Sequence, residues 1–171
     1  MLRPTLISAA TVAAMAIGSA SASHPERFHA VLSGFNEVPT LISEGQGTLD
    51  LTVDRNAKTL TYKLTFSGLT NVTQSHIHLG KVHVAGGVMV FFCSNLGNGP
   101  AGTPACPVNG GTVTGTLTAA DVVALAAQNV TAGNFDDVAD ALNSDSAYVN
   151  VHTVAFPAGE IRGQLTPLDR F

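Results

Sequence analysis

Two histidine-bearing segments, far apart in the chain, hold the residues best suited to chemistry. They are Ser75-His76-Ile77-His78-Leu79-Gly80 and Tyr148-Val149-Asn150-Val151-His152-Thr153. Successive side chains of a β-strand point to opposite faces, so His76 and His78 share one face while Ile77 takes the other. Asn150 and His152 share a face in the same way, opposite Val149 and Val151. If the fold pairs or stacks the two segments, three imidazoles converge. Neutral imidazoles gathered at one point suit a transition metal, and intrinsic affinity ranks copper above zinc. His76, His78 and His152 are the predicted metal ligands, and His83 is a fourth if Leu79-Gly80-Lys81 turns the chain back. A lone histidine would more simply satisfy a buried carbonyl; the i, i+2 pair with a third partner favours a metal.

Other chemistries find little support. Ser75 adjoins His76, but strand neighbours face opposite ways and cannot form a nucleophile–base pair. The chain has no GxSxG, HExxH or phosphate-binding loop. No carboxylate pair stands out, and Asp136 and Asp137 suit the first turn of a helix. No catalytic residue is therefore predicted. Glu160 and Arg162 share a face of the last strand, as a partly exposed ion pair or as an outer pair that orients His152. Asn36 and Glu37 are expected to close a turn through side-chain hydrogen bonds, in preference to acting as acceptors behind the metal ligands.

The elements that must position these residues are mostly strands. Gly47 to Val53 alternates apolar and polar residues, and Thr59 to Phe66 does so again with Leu60, Tyr62, Leu64 and Phe66 on one face. Asp54-Arg55-Asn56-Ala57-Lys58 joins them as a hairpin turn. Further strands are read at Phe28–Ser33, around His76–His78, at Val88–Phe92 (an apolar run buried on both faces), at Gly111–Leu117, at Tyr148–Thr153 and at Glu160–Leu165. Thr118-Ala119-Ala120-Asp121 has capping-box form and predicts a short helix over Val122–Ala127. Asn134 caps a second helix with Phe135, Val138 and Leu142 on one face. The fold class is all-β: an immunoglobulin-like Greek-key sandwich or barrel, with one or two short helices before the last two strands.

The first 22 residues read as a signal peptide, with Arg3, an apolar run from Leu6 to Ile17, and an Ala20-x-Ala22 cleavage site. Residues 23–171 then form a single domain, periplasmic or secreted, with no further membrane insertion. In that compartment Cys93 and Cys106 favour a disulfide across a Gly- and Pro-rich loop over a soft metal site, since CxxC and CxxH spacings are lacking. A formal net charge of −4, with scattered acidic and basic residues, excludes a basic nucleic-acid-binding stripe.

These residues also match a known pattern. Leu32-Ser33-Gly34-Phe35-Asn36-Glu37-Val38-Pro39, Leu60-Thr61-Tyr62-Lys63-Leu64, Phe66-Ser67-Gly68-Leu69, the two histidine segments, and Pro157-Ala158-Gly159-Glu160-Ile161-Arg162-Gly163-Gln164-Leu165 follow one another as in a CHRD domain. The chain resembles the microbial exported form of this chordin-type module over nearly all of its mature length. The Cys93–Cys106 loop and His83 depart from the usual pattern. The resemblance implies an immunoglobulin-like β-sandwich or barrel with some helix. It says less of activity, because chordin itself is an extracellular binder of growth factors. The functional expectation is an exported protein that sequesters or carries a metal ion, copper or else zinc. The rivals are a copper superoxide-dismutase-like enzyme and a metal-free interaction module whose partner is another exported protein.

Overall fold

The computed structural model describes residues 24–168. The signal peptide read at 1–22 lies outside the described residues. Nine strands form among the described residues: β1 (Glu26–Ser33), β2 (Gln46–Asp54), β3 (Thr59–Ser67), β4 (Val72–Leu79), β5 (Val88–Ser94), β6 (Gly111–Thr118), β7 (Ala147–Thr153), β8 (Ile161–Gln164) and β9 (Thr166–Pro167). One α-helix, α1 (Phe135–Asn143), precedes β7. The strands make a single antiparallel sheet in the order β5-β4-β7-β8-β1-β2-β3-β6, with β9 on β1, curled until it nearly closes as a barrel. The all-β expectation therefore holds.

Alternation places the core. Leu49, Leu51 and Val53 of β2 and Leu60, Tyr62, Leu64 and Phe66 of β3 point inward and are buried. Ile77 of β4 and Val149 and Val151 of β7 meet them from the far wall of the same core. The two ends of the sheet, β5 and β6, meet at a seam. Tyr62 bridges it, donating its hydroxyl to the Phe92 carbonyl at 2.9 Å with ring centroids 4.5 Å apart. The outer edge of β5 is engaged twice, where Val123 N–H donates to Met89 O and Ser94 N–H to Pro104 O. The second contact comes from the loop closed by the Cys93–Cys106 disulfide.

One predicted element is absent. Val122–Ala127 is not a helix; single 3-10 turns form at Ala119–Asp121 and Ala126–Gln128. The capping box does form, with Asp121 Oδ2 accepting from both the backbone and the hydroxyl of Thr118. Its helix stops after one turn because the next backbone groups serve the sheet. Val123 bonds to β5, and Leu125 bridges Val130. Consecutive β-branched valines offer little resistance to that extended path.

Candidate metal centre

The register brings the two histidine segments side by side. β4 and β7 pair antiparallel with Gln74 opposite His152, His76 opposite Asn150 and His78 opposite Tyr148. β8 continues the row, with Arg162 opposite Asn150 and Gln164 opposite Tyr148. Arg162 in turn faces Ser33 of β1, whose inward residues are Phe28, Ala30 and Leu32. The histidines, Tyr148, Asn150 and Arg162 thus lie on the outer face of the barrel. They are nonetheless buried, with His76, His78 and His152 only 2%, 7% and 5% exposed.

Loops roof this outer face and are bonded to it. His78 Nδ1 meets the Gly86 carbonyl at 2.9 Å, and His152 Nδ1 meets that of Pro157 at 3.0 Å. Arg162 donates from Nη2 to the carbonyls of Lys81 and Val84 at 3.0 and 3.1 Å. Its guanidinium carbon sits 3.4 Å from the centre of the Tyr148 ring, a cation–π contact. On the other flank of Tyr148 the His78 ring stacks nearly parallel, with centroids 4.8 Å apart. Phe91 of β5 closes the remaining side by an edge-on contact with His76. Gly86 is required where it is, since a Cβ there would lie 1.7 Å from the Leu79 carbonyl oxygen.

Hydrogen bonding settles the protons. A carbonyl oxygen only accepts, so His78 and His152 carry their protons on Nδ1 and, when neutral, present a lone pair on Nε2. His76 Nδ1 lies 3.1 Å from His152 Nε2 and donates to it, leaving its own Nε2 as a lone pair. Neutrality follows from burial. Desolvation drives His76 down to about 2 and His78 to about 4, and lowers His152 as well. His76 Nε2 and His78 Nε2 are buried with no hydrogen-bond partner. Carbonyls that fix the tautomer of metal-binding histidines are a recurrent feature of such sites.

The three histidines can offer one nitrogen each within 4.8 Å of one another, and the group could hold a metal ion. The 3.1 Å contact of His76 Nδ1 with His152 Nε2 is a hydrogen bond, so an ion taken up on His152 Nε2 would replace the His76 proton there. Their chemistry fits a borderline metal such as copper or zinc.

The other predicted residues fall elsewhere. His83 is exposed, with a φ of 62°, on the roof loop and stands apart from the group. The chain does turn back after Leu79, with Val84 N–H bonding to Lys81 O and Leu79 N–H to Gly87 O, but His83 stands at the exposed tip of that turn while Arg162 holds the carbonyls on either side of it. Glu160 and Arg162 are both buried and have separate partners. Glu160 accepts from Ser43 Oγ and Thr153 Oγ1 at 2.7 and 2.6 Å. Asn36 makes the expected turn contact, Nδ2 to Val31 O. Glu37 is buried, and desolvation pushes its carboxyl up against the opposing pull of the Val38 backbone, Arg162 and Asn150. Tyr148 was not singled out from the sequence. Tyr148, on the same strand face as Asn150 and His152, could have been found by the alternation that links those two.

No characterised protein and no solved structure matches this chain. The CHRD domain family matches residues 28–165, from β1 to the end of β8 and including every residue of the histidine group. The chain belongs to the CHRD domain family.

Proposed function

We propose that this chain is an exported metal-binding domain that holds copper, with zinc as the alternative ion, on His76, His78 and His152, and that it sequesters or carries the ion. One observation carries the reading: buried imidazole lone pairs gather where no protein donor reaches His76 Nε2 or His78 Nε2. A proton is a poor occupant, because burial holds the rings neutral. A bound ion would satisfy these nitrogens together and repay their desolvation. The disulfide fits an oxidising compartment. The closed roof suits retention of an ion better than turnover of a substrate.

The test is a titration of the purified domain with Cu(II) and Zn(II). Saturation at one ion per chain is expected, and a His76→Ala/His78→Ala double variant should lose the site. A double variant that binds as tightly as the parent overturns the assignment. A second reading, a metal-free interaction module, is favoured by apolar side chains left in solvent: Phe35, Ile42 and Val154 are 66%, 86% and 67% exposed. That reading takes over if the intact domain binds neither ion.

A further inference from the structure

Three more buried acceptors lack a donor, Asn150 Oδ1, Glu37 Oε1 and Gln164 Oε1, and the first two belong to side chains that interact beside the histidines. Asn150 stands on β7 between His76 of β4 and Arg162 of β8, in the middle of the row. Its side chain interacts with both Glu37 and His78. Asn150 Nδ2 and Glu37 Oε1 crowd one point, lying 2.6 and 2.5 Å from where a Cβ on Gly159 would sit. Only a glycine with its φ of 130° leaves that room.

A carboxylate accepts and an amide N–H₂ donates, so the nitrogen end of Asn150 belongs toward Glu37. The oxygen end is then directed away from Glu37, toward the imidazoles. There it meets His78 Nε2, which is itself a lone pair because Nδ1–H is committed to the Gly86 carbonyl. Two acceptors that face each other in a buried site repel unless a cation lies between them.

We propose that Asn150 Oδ1 is the fourth donor of the metal site, and that Glu37 is a positioning residue that holds the Asn150 amide with its oxygen toward the ion. This rests on the three-histidine reading and refines it from an all-nitrogen set to three nitrogens and one oxygen. An amide oxygen is a neutral, hard donor. It raises the preference for Cu(II) or Zn(II) over Cu(I), which favours softer ligands. Glu37 brings the negative charge near the ion without binding it.

The experiment compares Cu(II) binding and the Cu(II) electron paramagnetic resonance spectrum across variants. Asn150→Ala should weaken Cu(II) binding at least tenfold and change the copper hyperfine splitting. Asn150→Asp, which keeps an oxygen in place, should restore affinity to that of the parent or better. Glu37→Gln, which lets the amide turn round, should weaken binding by about tenfold, in the range typical of groups behind a ligand, with little spectral change. Should Asn150→Ala fail to fold, Asn150→Asp decides alone, since a charged oxygen on the ion should change the copper hyperfine splitting and a spectrum identical to the parent would overturn the assignment. Parental affinity and spectrum in Asn150→Ala would overturn it too, while leaving the histidine site intact. Absence of Cu(II) binding by the parent domain would instead remove the histidine reading and this inference with it.

Discussion

β3 and β7 belong to one sheet and each presents an inner face to the same core, yet their outer faces have opposite fates. On β3 the outward residues Thr61 and Lys63 are exposed, and Thr59 and Thr65 are half-buried. On β7 the outward residues Tyr148, Asn150 and His152 are as buried as the core residues between them. The same strand geometry produces both. What differs is the cover: loops tied down through His78, His152 and Arg162 roof one half of the barrel, and among the described residues none roofs the outer face of β3. His29 makes the contrast on a single residue type. It sits on the outward face of β1 with Asp50 as its partner at 2.8 Å, a third exposed. His76, on an outward face too, has lost its water and found only other rings. Covering an outer face, more than choosing its residues, creates the chemical environment.

The contrast can be broken most forcefully at Arg162. Arg162→Ala takes a buried donor from two roof carbonyls, of which Lys81 O keeps only Val84 N–H, and removes the cation that acts on Glu37. A loss of about 3–5 kcal/mol is expected in denaturant unfolding of the metal-free protein, as for breaking other buried charge contacts. A loss under 1 kcal/mol would mean that the roof holds without its central anchor.

Acid is the next lever. The folded protein keeps His76, His78 and His152 neutral below the usual histidine range, whereas the unfolded chain takes up protons near pH 6.5. The unfolded state therefore binds more protons. Stability of the metal-free protein is complete above pH 6.5 and falls as the pH drops toward about 4 and then about 2. Each fully engaged histidine contributes about 1.4 kcal/mol per pH unit. Glu37 opposes this trend, because its raised carboxyl pKa makes protonation favour the fold. Denaturation midpoints that stay level from pH 7 to 5 would show that the roof admits solvent freely.

Tyr148→Leu keeps an apolar side chain but removes the ring between His78 and Arg162. A cost of about 1–2 kcal/mol is expected, since a desolvated cation–π contact and a stacked pair are both lost. Its unfolding free energy beside that of Arg162→Ala separates the stacking from the hydrogen bonds. The smallest effect belongs to the open half. Thr61→Lys on β3, which faces Thr52 and Thr116 in register, should shift stability by no more than about 0.5 kcal/mol. A larger change there would mean that this face, too, has a cover in solution.

The open half was the more legible from sequence. Strict alternation over Thr59–Phe66 and Gly47–Val53 reports a strand with one wet face, and both strands are found there with slightly longer ends. On the roofed half alternation reports less, because polar and apolar residues are buried together. The i, i+2 spacing of His76 and His78 still placed them on one face, and the Asn-x-His pattern did so for β7. What local sequence could not supply was the roof. The burial of Glu37 and the outward lift of His83 depend on contacts between residues 78 to 125 positions apart, and the stack of Arg162 on Tyr148 depends on the pairing of β7 with β8. The absent helix at Val122–Ala127 has the same origin, as its backbone is claimed by a strand edge some 30 residues earlier.

That claimed edge has a further consequence. A barrel that stops short of closure leaves two strand margins whose unpaired amides and carbonyls could recruit a strand from another molecule. Here the β5 margin is occupied on both sides of its midpoint, by Val123 at Met89 and by Pro104 at Ser94. The second plug is tethered by a covalent bond from the strand itself, through Cys93. Reduction of that bond should free the loop and expose a template for intermolecular strand addition. The disulfide then serves solubility as much as stability: it keeps an incomplete barrel from polymerising along its own seam.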